Sequence, residues 1–117
     1  MVYPWRCEVN IIIYGTRKCR NTQKALRFFK ERRIPVQFFD LTERPFSPGE
    51  ARKIAQALGD DVIDTESRLY RERLAFMEVS PEELLLEYPG AVRTPVVREG
   101  ARITAGYVPE VWSSWLA

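Results

Sequence analysis

Hydrophobic positions along the chain follow two rhythms. Val9-Asn-Ile-Ile-Ile-Tyr14 is a short β-branched run ending in Gly15, and its continuous apolarity predicts a strand covered on both faces. From Asn21 to Arg33 the spacing changes: Ala25, Leu26, Phe28 and Phe29 form one helical stripe with charges opposite, and Pro35 closes the segment. Val36-Gln-Phe-Phe-Asp40 predicts a second strand. Strand, helix, strand is most simply a parallel pair with a crossover helix.

The middle of the chain reads as helical. Ser47-Pro48-Gly-Glu50 has the residues of a capped helix start, with Ser47 as N-cap and Glu50 completing a capping box, and Gly59 is the expected stop. A further helical pattern covers Arg68 to Phe76, and Ser80-Pro81-Glu82-Glu83 opens another that ends near Tyr88-Pro89-Gly90. Pro95-Val-Val-Arg98 and Ala101-Arg-Ile-Thr104 flank Glu99-Gly100, a two-residue hairpin signal. A last helix runs from about Pro109 to Leu116, with Val111, Trp112, Trp115 and Leu116 expected in the core. Tyr3 and Trp5 precede the first strand without indicating whether they cover the core or face a partner. With no repeat, low-complexity tract or linker, residues 1–117 are expected to form one domain with a helical insertion at about 45–89.

Composition removes several chemistries. The chain has no histidine, hence no His-based acid, base or metal ligand, and no metal is expected. A net charge of +2 argues against a general polyanion binder, so no direct nucleic-acid binding is expected. No stretch approaches the ~20 apolar residues that span a bilayer, and no secretory leader precedes the first strand, so a cytoplasmic location with reduced thiols is expected. Charge is uneven, however. Residues 17–33 hold eight basic side chains against Glu31 alone, a field suited to a small anion or an acidic partner; the plainer alternative is a solvated helix face.

Cys19 sits inside that field, where the first strand has passed through Gly15 and the first helix begins. Helix N–H groups and the neighbouring Arg17, Lys18 and Arg20 favour a thiolate, which predicts a nucleophilic sulfur; the alternative is a small buried hydrophobe. Cys7 lies before the opposite end of the strand, roughly 20 Å away at ~3.3 Å per residue, whereas a disulfide needs Cα atoms within ~7 Å. Cys19-Arg-Asn-Thr22 lacks a second cysteine, so catalysis would use one thiol and need an external thiol to resolve it.

Tyr14-Gly-Thr-Arg-Lys-Cys19, Thr22-Gln-Lys-Ala25, the helical insertion, Asp64-Thr-Glu-Ser-Arg68-Leu-Tyr-Arg71 and Pro89-Gly-Ala-Val-Arg-Thr-Pro95-Val-Val together resemble the arsenate reductase-like (ArsC/Spx) family of thioredoxin-fold proteins. The resemblance implies an α/β thioredoxin-like fold: a four-stranded mixed sheet with a helical insertion between the βαβ and ββα halves. It implies Cys19 as nucleophile, with Arg17, Arg20, Thr22, Arg68, Arg93, Thr94 and Pro95 binding substrate or thiol, and a cis bond at Pro95. That bond would set the Thr94 backbone beside the sulfur as an edge for an extended peptide. The chain departs from the family where oxyanion-handling arginines are usual: Glu66 and Thr94 occupy two of those positions, and a third is replaced near Gly106. Arg68 and Arg93 lie close in sequence to the vacated positions. A carboxylate in place of a guanidinium reverses its interaction with a dianion, so arsenate reduction is not implied.

Two functions follow from the resemblance. One is a monothiol reductase without bound cofactor, acting on a disulfide or oxidised small substrate and resolved by glutathione or a protein thiol. The other is an Spx-like redox-responsive regulator that contacts RNA polymerase.

Overall fold

The first strand, β1 (Ile11–Gly15), is apolar throughout because it serves two cores: Ile11 and Ile13 pack into one, Ile12 and Tyr14 into the other. The structure is a computed structural model and describes residues 10–116. The expectations for Tyr3, Trp5, Cys7 and Val9, and the side chain of Leu116, lie outside the described residues. β1 pairs in parallel with β2 (Val36–Asp40) and antiparallel with β3 (Val96–Glu99), which pairs antiparallel with β4 (Arg102–Ala105). The strand order is β2-β1-β3-β4. α1 (Arg20–Glu31) connects β1 to β2.

Between β2 and β3 the chain forms α2 (Pro48–Leu58), a 3-10 turn at Gly59–Val62, α3 (Arg68–Glu72), a second 3-10 turn at Leu74–Phe76, α4 (Pro81–Glu87) and a third at Pro89–Ala91. α5 (Pro109–Leu116) closes the described chain. This is a thioredoxin-like α/β fold with a four-stranded mixed sheet and a helical insertion. Among the described residues no helix is long and apolar enough to cross a membrane.

The two cores lie on opposite faces of the sheet. On one, Phe28 and Phe29 of α1 meet Trp112 of α5, each with its ring centroid 5.4 Å from the indole, while Trp112 Nε1 donates to Thr104 Oγ1 at 2.9 Å. The other is built by the insertion, where Ile54, Leu84 and Leu85 are fully buried with Tyr14 and Val96. Tyr14 ties this side together. Its hydroxyl donates to Glu50 Oε2 at 2.8 Å, and Glu50 also accepts from the Ser47 backbone N–H at 2.9 Å and pairs with Arg44 at 3.2 Å. Ser47 and Glu50 thus complete the expected capping box at the start of α2.

Four expectations need correction. The helical pattern over 68–76 does not run through: Arg73 leaves helical geometry at φ −135°, and the chain resumes as a 3-10 turn that buries Leu74 and leaves Phe76 84% exposed. The hairpin turn is Gly100-Ala101 rather than Glu99-Gly100. Gly100 takes φ +59°, and moving the turn by one residue makes Glu99 and Arg102 ladder partners that also form an ion pair. Val111 is 37% exposed instead of buried, because α5 directs Trp112 inward and Trp115 only partly so. α1 stops at Glu31 rather than Arg33, since Arg33 adopts φ +58° and the Ile34 N–H returns to the Phe29 carbonyl at 2.9 Å.

Candidate functional site

Cys19 is the N-cap of α1, in extended conformation at φ −75°, ψ 121°, and is partly buried. Its loop is held by the Cys19 N–H donating to the Thr16 carbonyl at 3.1 Å and by Gln23 Nε2 donating to the Arg17 carbonyl at 2.6 Å. One turn into the helix Thr22 is wholly buried against Gly15: a Cβ on Gly15 would lie 2.4 Å from Thr22 Oγ1. Glycine at the end of β1 therefore lets the first turn of α1 settle onto the strand.

The opposite wall comes from the far end of the sequence. The Thr94-Pro95 peptide is cis, Thr94 Oγ1 donates to Cys19 Sγ at 3.0 Å, and Sγ lies 3.8 Å from the Thr94 carbonyl oxygen. The insertion fastens this segment. Ile63 and Val92 form an antiparallel bridge, the Arg93 N–H donates to the Val62 carbonyl at 2.8 Å, and the Asp64 N–H donates to the Ala91 carbonyl at 2.8 Å. Beyond the proline, the Gly106 N–H donates to the Pro95 carbonyl at 2.9 Å.

Burial raises the Cys19 pKa, but hydrogen bonding outweighs it: the Thr22 and Thr94 hydroxyls and the Thr22 and Asn21 amides hold the thiol below its usual value. Of these donors only the Thr94 hydroxyl meets the sulfur at full hydrogen-bond geometry; Cys19 makes no side-chain capping bond, and Thr22 Oγ1 has no other partner. The donors are thus in place for an anion and underused by the neutral sulfur. That asymmetry favours the thiolate.

The structure brings Cys19, Thr22, Thr94 and Pro95 together. Arg17 is engaged elsewhere, its Nε 3.7 Å from Asp40 and its guanidinium 5.4 Å from the centre of the Phe38 ring, with the side chain 76% exposed. Arg20 is exposed on the first turn of α1. After burial, which opposes ionisation, the leading influences on the sulfur are hydrogen bonds, not the cations adjacent in sequence. Arg68 is tied to Glu72 at 2.7 Å on the exposed side of α3. Arg93 donates from its guanidinium to the Ile63 carbonyl at 3.3 Å, and its aliphatic stem covers Gly106. Their sequence neighbourhood to the family's arginine positions is therefore not matched by a contact to Cys19 among the described residues. The strap at 62–64 that supports Thr94 carries little sequence signal: Val62-Ile63 is a lone apolar pair between aspartates.

Comparison with known proteins agrees with this architecture. The chain matches no family profile. The YFFB (PA3664) protein superposes with a TM-score of 0.82 at 21% identity, covering 92% of this chain and 99% of that one. An arsenate reductase from Vibrio cholerae gives 0.75 at 22% identity over 91% of this chain and 97% of its own. In sequence, the global transcriptional regulator Spx of Bacillus subtilis is 25% identical over 104 residues, which is 83% of this chain and 79% of the regulator. In sequence the chain is distantly similar to the Spx regulators, and in fold it is similar to arsenate reductase-like structures. A protein described as an arsenate reductase and one described as a transcriptional regulator thus both stand among the proteins this chain is similar to.

Proposed function

We propose that the protein is a monothiol thiol–disulfide oxidoreductase with Cys19 as its nucleophile. The observation that carries this reading is the pair of threonine hydroxyls around Sγ, one donating at 3.0 Å and the other buried without a partner. The Cys19 thiolate attacks one sulfur of a substrate disulfide. A Cys19–substrate disulfide forms, the original S–S bond breaks, and the leaving sulfur departs as a thiolate that takes a proton from water. A second thiol, glutathione or a protein cysteine, then loses its proton to water and attacks the substrate sulfur of the mixed disulfide; a disulfide between the two forms, and the bond to Cys19 breaks to release its thiolate. The Thr94 backbone beside the sulfur suits an extended thiol peptide, and Arg17, Arg20 and Arg93 supply a positive surround at longer range. Arsenate is a poor fit, because a dianion needs several guanidinium contacts, and Arg17, Arg68 and Arg93 are engaged by Asp40, Glu72 and the Ile63 carbonyl, leaving Arg20 alone beside the cysteine.

The test is the rate of Cys19 alkylation by iodoacetamide across pH, with mass detection of a glutathione adduct. The expected midpoint lies below the ~8.5 of an ordinary thiol, with adduct on the wild type and none on Cys19→Ser. A midpoint at the ordinary value and no adduct would remove the proposal.

The relation to the Spx regulators supports a second reading, a redox-responsive regulator that contacts RNA polymerase. Capture of the polymerase α subunit by both wild type and Cys19→Ser would favour it; capture by neither would exclude it.

A further inference from the structure

The basic stretch of α1 is not uniformly solvated. Lys24, Arg27 and Arg32, with Phe28 and Glu31, line one wall of a groove of about 420 Å³ whose other wall is Tyr107 and Pro109, at the entry to α5. Two of its cations are set against rings: Lys24 Nζ lies 5.5 Å from the Tyr107 centroid, and the Arg32 guanidinium 3.7 Å from that of Phe28. Arg32 is further fixed by donating to the Phe28 carbonyl at 3.1 Å. Tyr107 itself packs edge-on against Trp112 at 5.6 Å, so the aromatic wall is anchored in the core. Among the described residues no carboxylate forms an ion pair with Lys24, Arg27 or Arg32. Three cations against the single carboxylate of Glu31, two of them held on rings, leave a net positive surface suited to an anion.

We propose that this groove docks an acidic segment of a partner protein, the segment flanking the cysteine that exchanges with Cys19. The proposal rests on the thiol–disulfide reading above and adds to it a substrate class. Three features favour a protein segment over nucleic acid. The groove lies along the helix that Cys19 caps: Arg20 follows Cys19, and Lys24, the first groove residue, is one turn further on. Along the helix Lys24 and Arg27 lie ~7.5 and ~12 Å beyond Cys19 at ~1.5 Å per residue, which an extended peptide spans in about two to four residues. The molecule's net charge is only +2, and three groove cations are few for a nucleic-acid backbone that gains affinity by neutralising many phosphates.

Two ten-residue peptides carry the test, each with a central cysteine held as a 2-thiopyridyl disulfide and flanked on both sides by glutamate or by glutamine. Cys19 attack joins it to the peptide sulfur and releases 2-thiopyridone, which is read by absorbance. At low salt the acidic peptide reacts about five- to tenfold faster than the neutral one, as expected for a few screened ion pairs, and the ratio falls toward one at high salt. Lys24→Gln with Arg27→Gln collapses the ratio, while Arg52→Gln with Lys53→Gln on α2, an equal loss of charge, preserves it. Equal rates for the two peptides, or equal loss of preference in both double variants, would overturn the proposal.

A second arm separates the groove from the chemistry. Fluorescein-labelled peptides with serine for cysteine are titrated by anisotropy into Cys19→Ser protein, with an oligonucleotide of matched charge as competitor. Binding of the acidic peptide that is lost in Lys24→Gln/Arg27→Gln supports the groove even if Cys19 proves unreactive. Absence of binding overturns the groove even if Cys19 exchanges with both peptides, and tighter binding of the oligonucleotide assigns the surface to nucleic acid instead.

Discussion

Thr22 and Thr94 flank one sulfur but stand in different states. Thr94 Oγ1 already donates to Cys19 Sγ, whereas Thr22 Oγ1 is buried with its hydrogen-bonding capacity unspent. A buried hydroxyl without a partner costs stability in the thiol form and returns that cost when the sulfur ionises. Thr22→Val, nearly isosteric, is therefore expected to leave stability within about 1 kcal/mol of wild type, or raise it, while moving the Cys19 pKa up. Urea denaturation at a pH where the thiol is protonated, together with the alkylation profile, checks both halves. A large loss of stability with an unchanged profile would mean that Thr22 serves packing alone. The cysteine's position was legible in the sequence because Gly15, the cation run and the helix start are local signals. The electrostatic agents were not. Cations adjacent in sequence at a helix start need not face the cap residue, and Arg17 instead reaches Asp40 and Phe38. Thr94 stands 75 residues away from Cys19, and only a family resemblance brought it to the site.

Glu50 shows the same division between local and distant information one level up. Its role in the capping box of α2 follows from Ser47-Pro-Gly-Glu50, but its bonds to Tyr14 and Arg44 join α2 to β1 and to the loop after β2, which no local pattern announces. Burial followed by the hydrogen bond and charge of Glu50 pushes Tyr14 up to about 12. Burial also raises the Glu50 pKa, yet the Ser47 amide, Tyr14, Arg44 and the Ser47 hydroxyl overcome that and hold the carboxyl below its usual value. A carboxylate whose folded-state pKa is depressed contributes stability above its unfolded value, and that contribution is lost as pH falls through the folded one. Wild type should lose unfolding free energy between about pH 5 and about pH 3 more steeply than Glu50→Gln. At neutral pH the variant should be roughly 1–3 kcal/mol less stable, the range for losing hydrogen bonds to a charged group. Urea midpoints across that range measure it, and parallel curves would refute the assignment. Elsewhere local signals failed where tertiary demands decided: no glycine or proline marks the break at Arg73, but burying Leu74 beneath α2 and α4 requires the chain to turn there.

At the scale of the molecule, one sheet separates two cores. The element order predicted from periodicity, βαβ then helices then ββα, carries most of the topology, because a parallel crossover pair and a hairpin leave few ways to build a four-stranded sheet. What periodicity did not supply is that β3 joins β1 on the side opposite β2 and brings Thr94 to Cys19. The division has an energetic consequence. Ile13 is fully buried on the α1–α5 side and Ile54 fully buried on the insertion side, and they belong to separate clusters. Ile13→Val and Ile54→Val should each cost about 0.5–1.5 kcal/mol, the usual price of one buried methylene. Because they share no packing partners within a cluster, the double variant should lose the sum of the two to within about 0.5 kcal/mol. Denaturant unfolding of the singles and the double, small enough changes that all three remain folded, closes the cycle. A coupling well above that margin would show that the sheet transmits strain from one face to the other. The insertion, which fastens the 91–93 segment ahead of Thr94, would then act on the thiol through β1 as well as through the strap at 62–64.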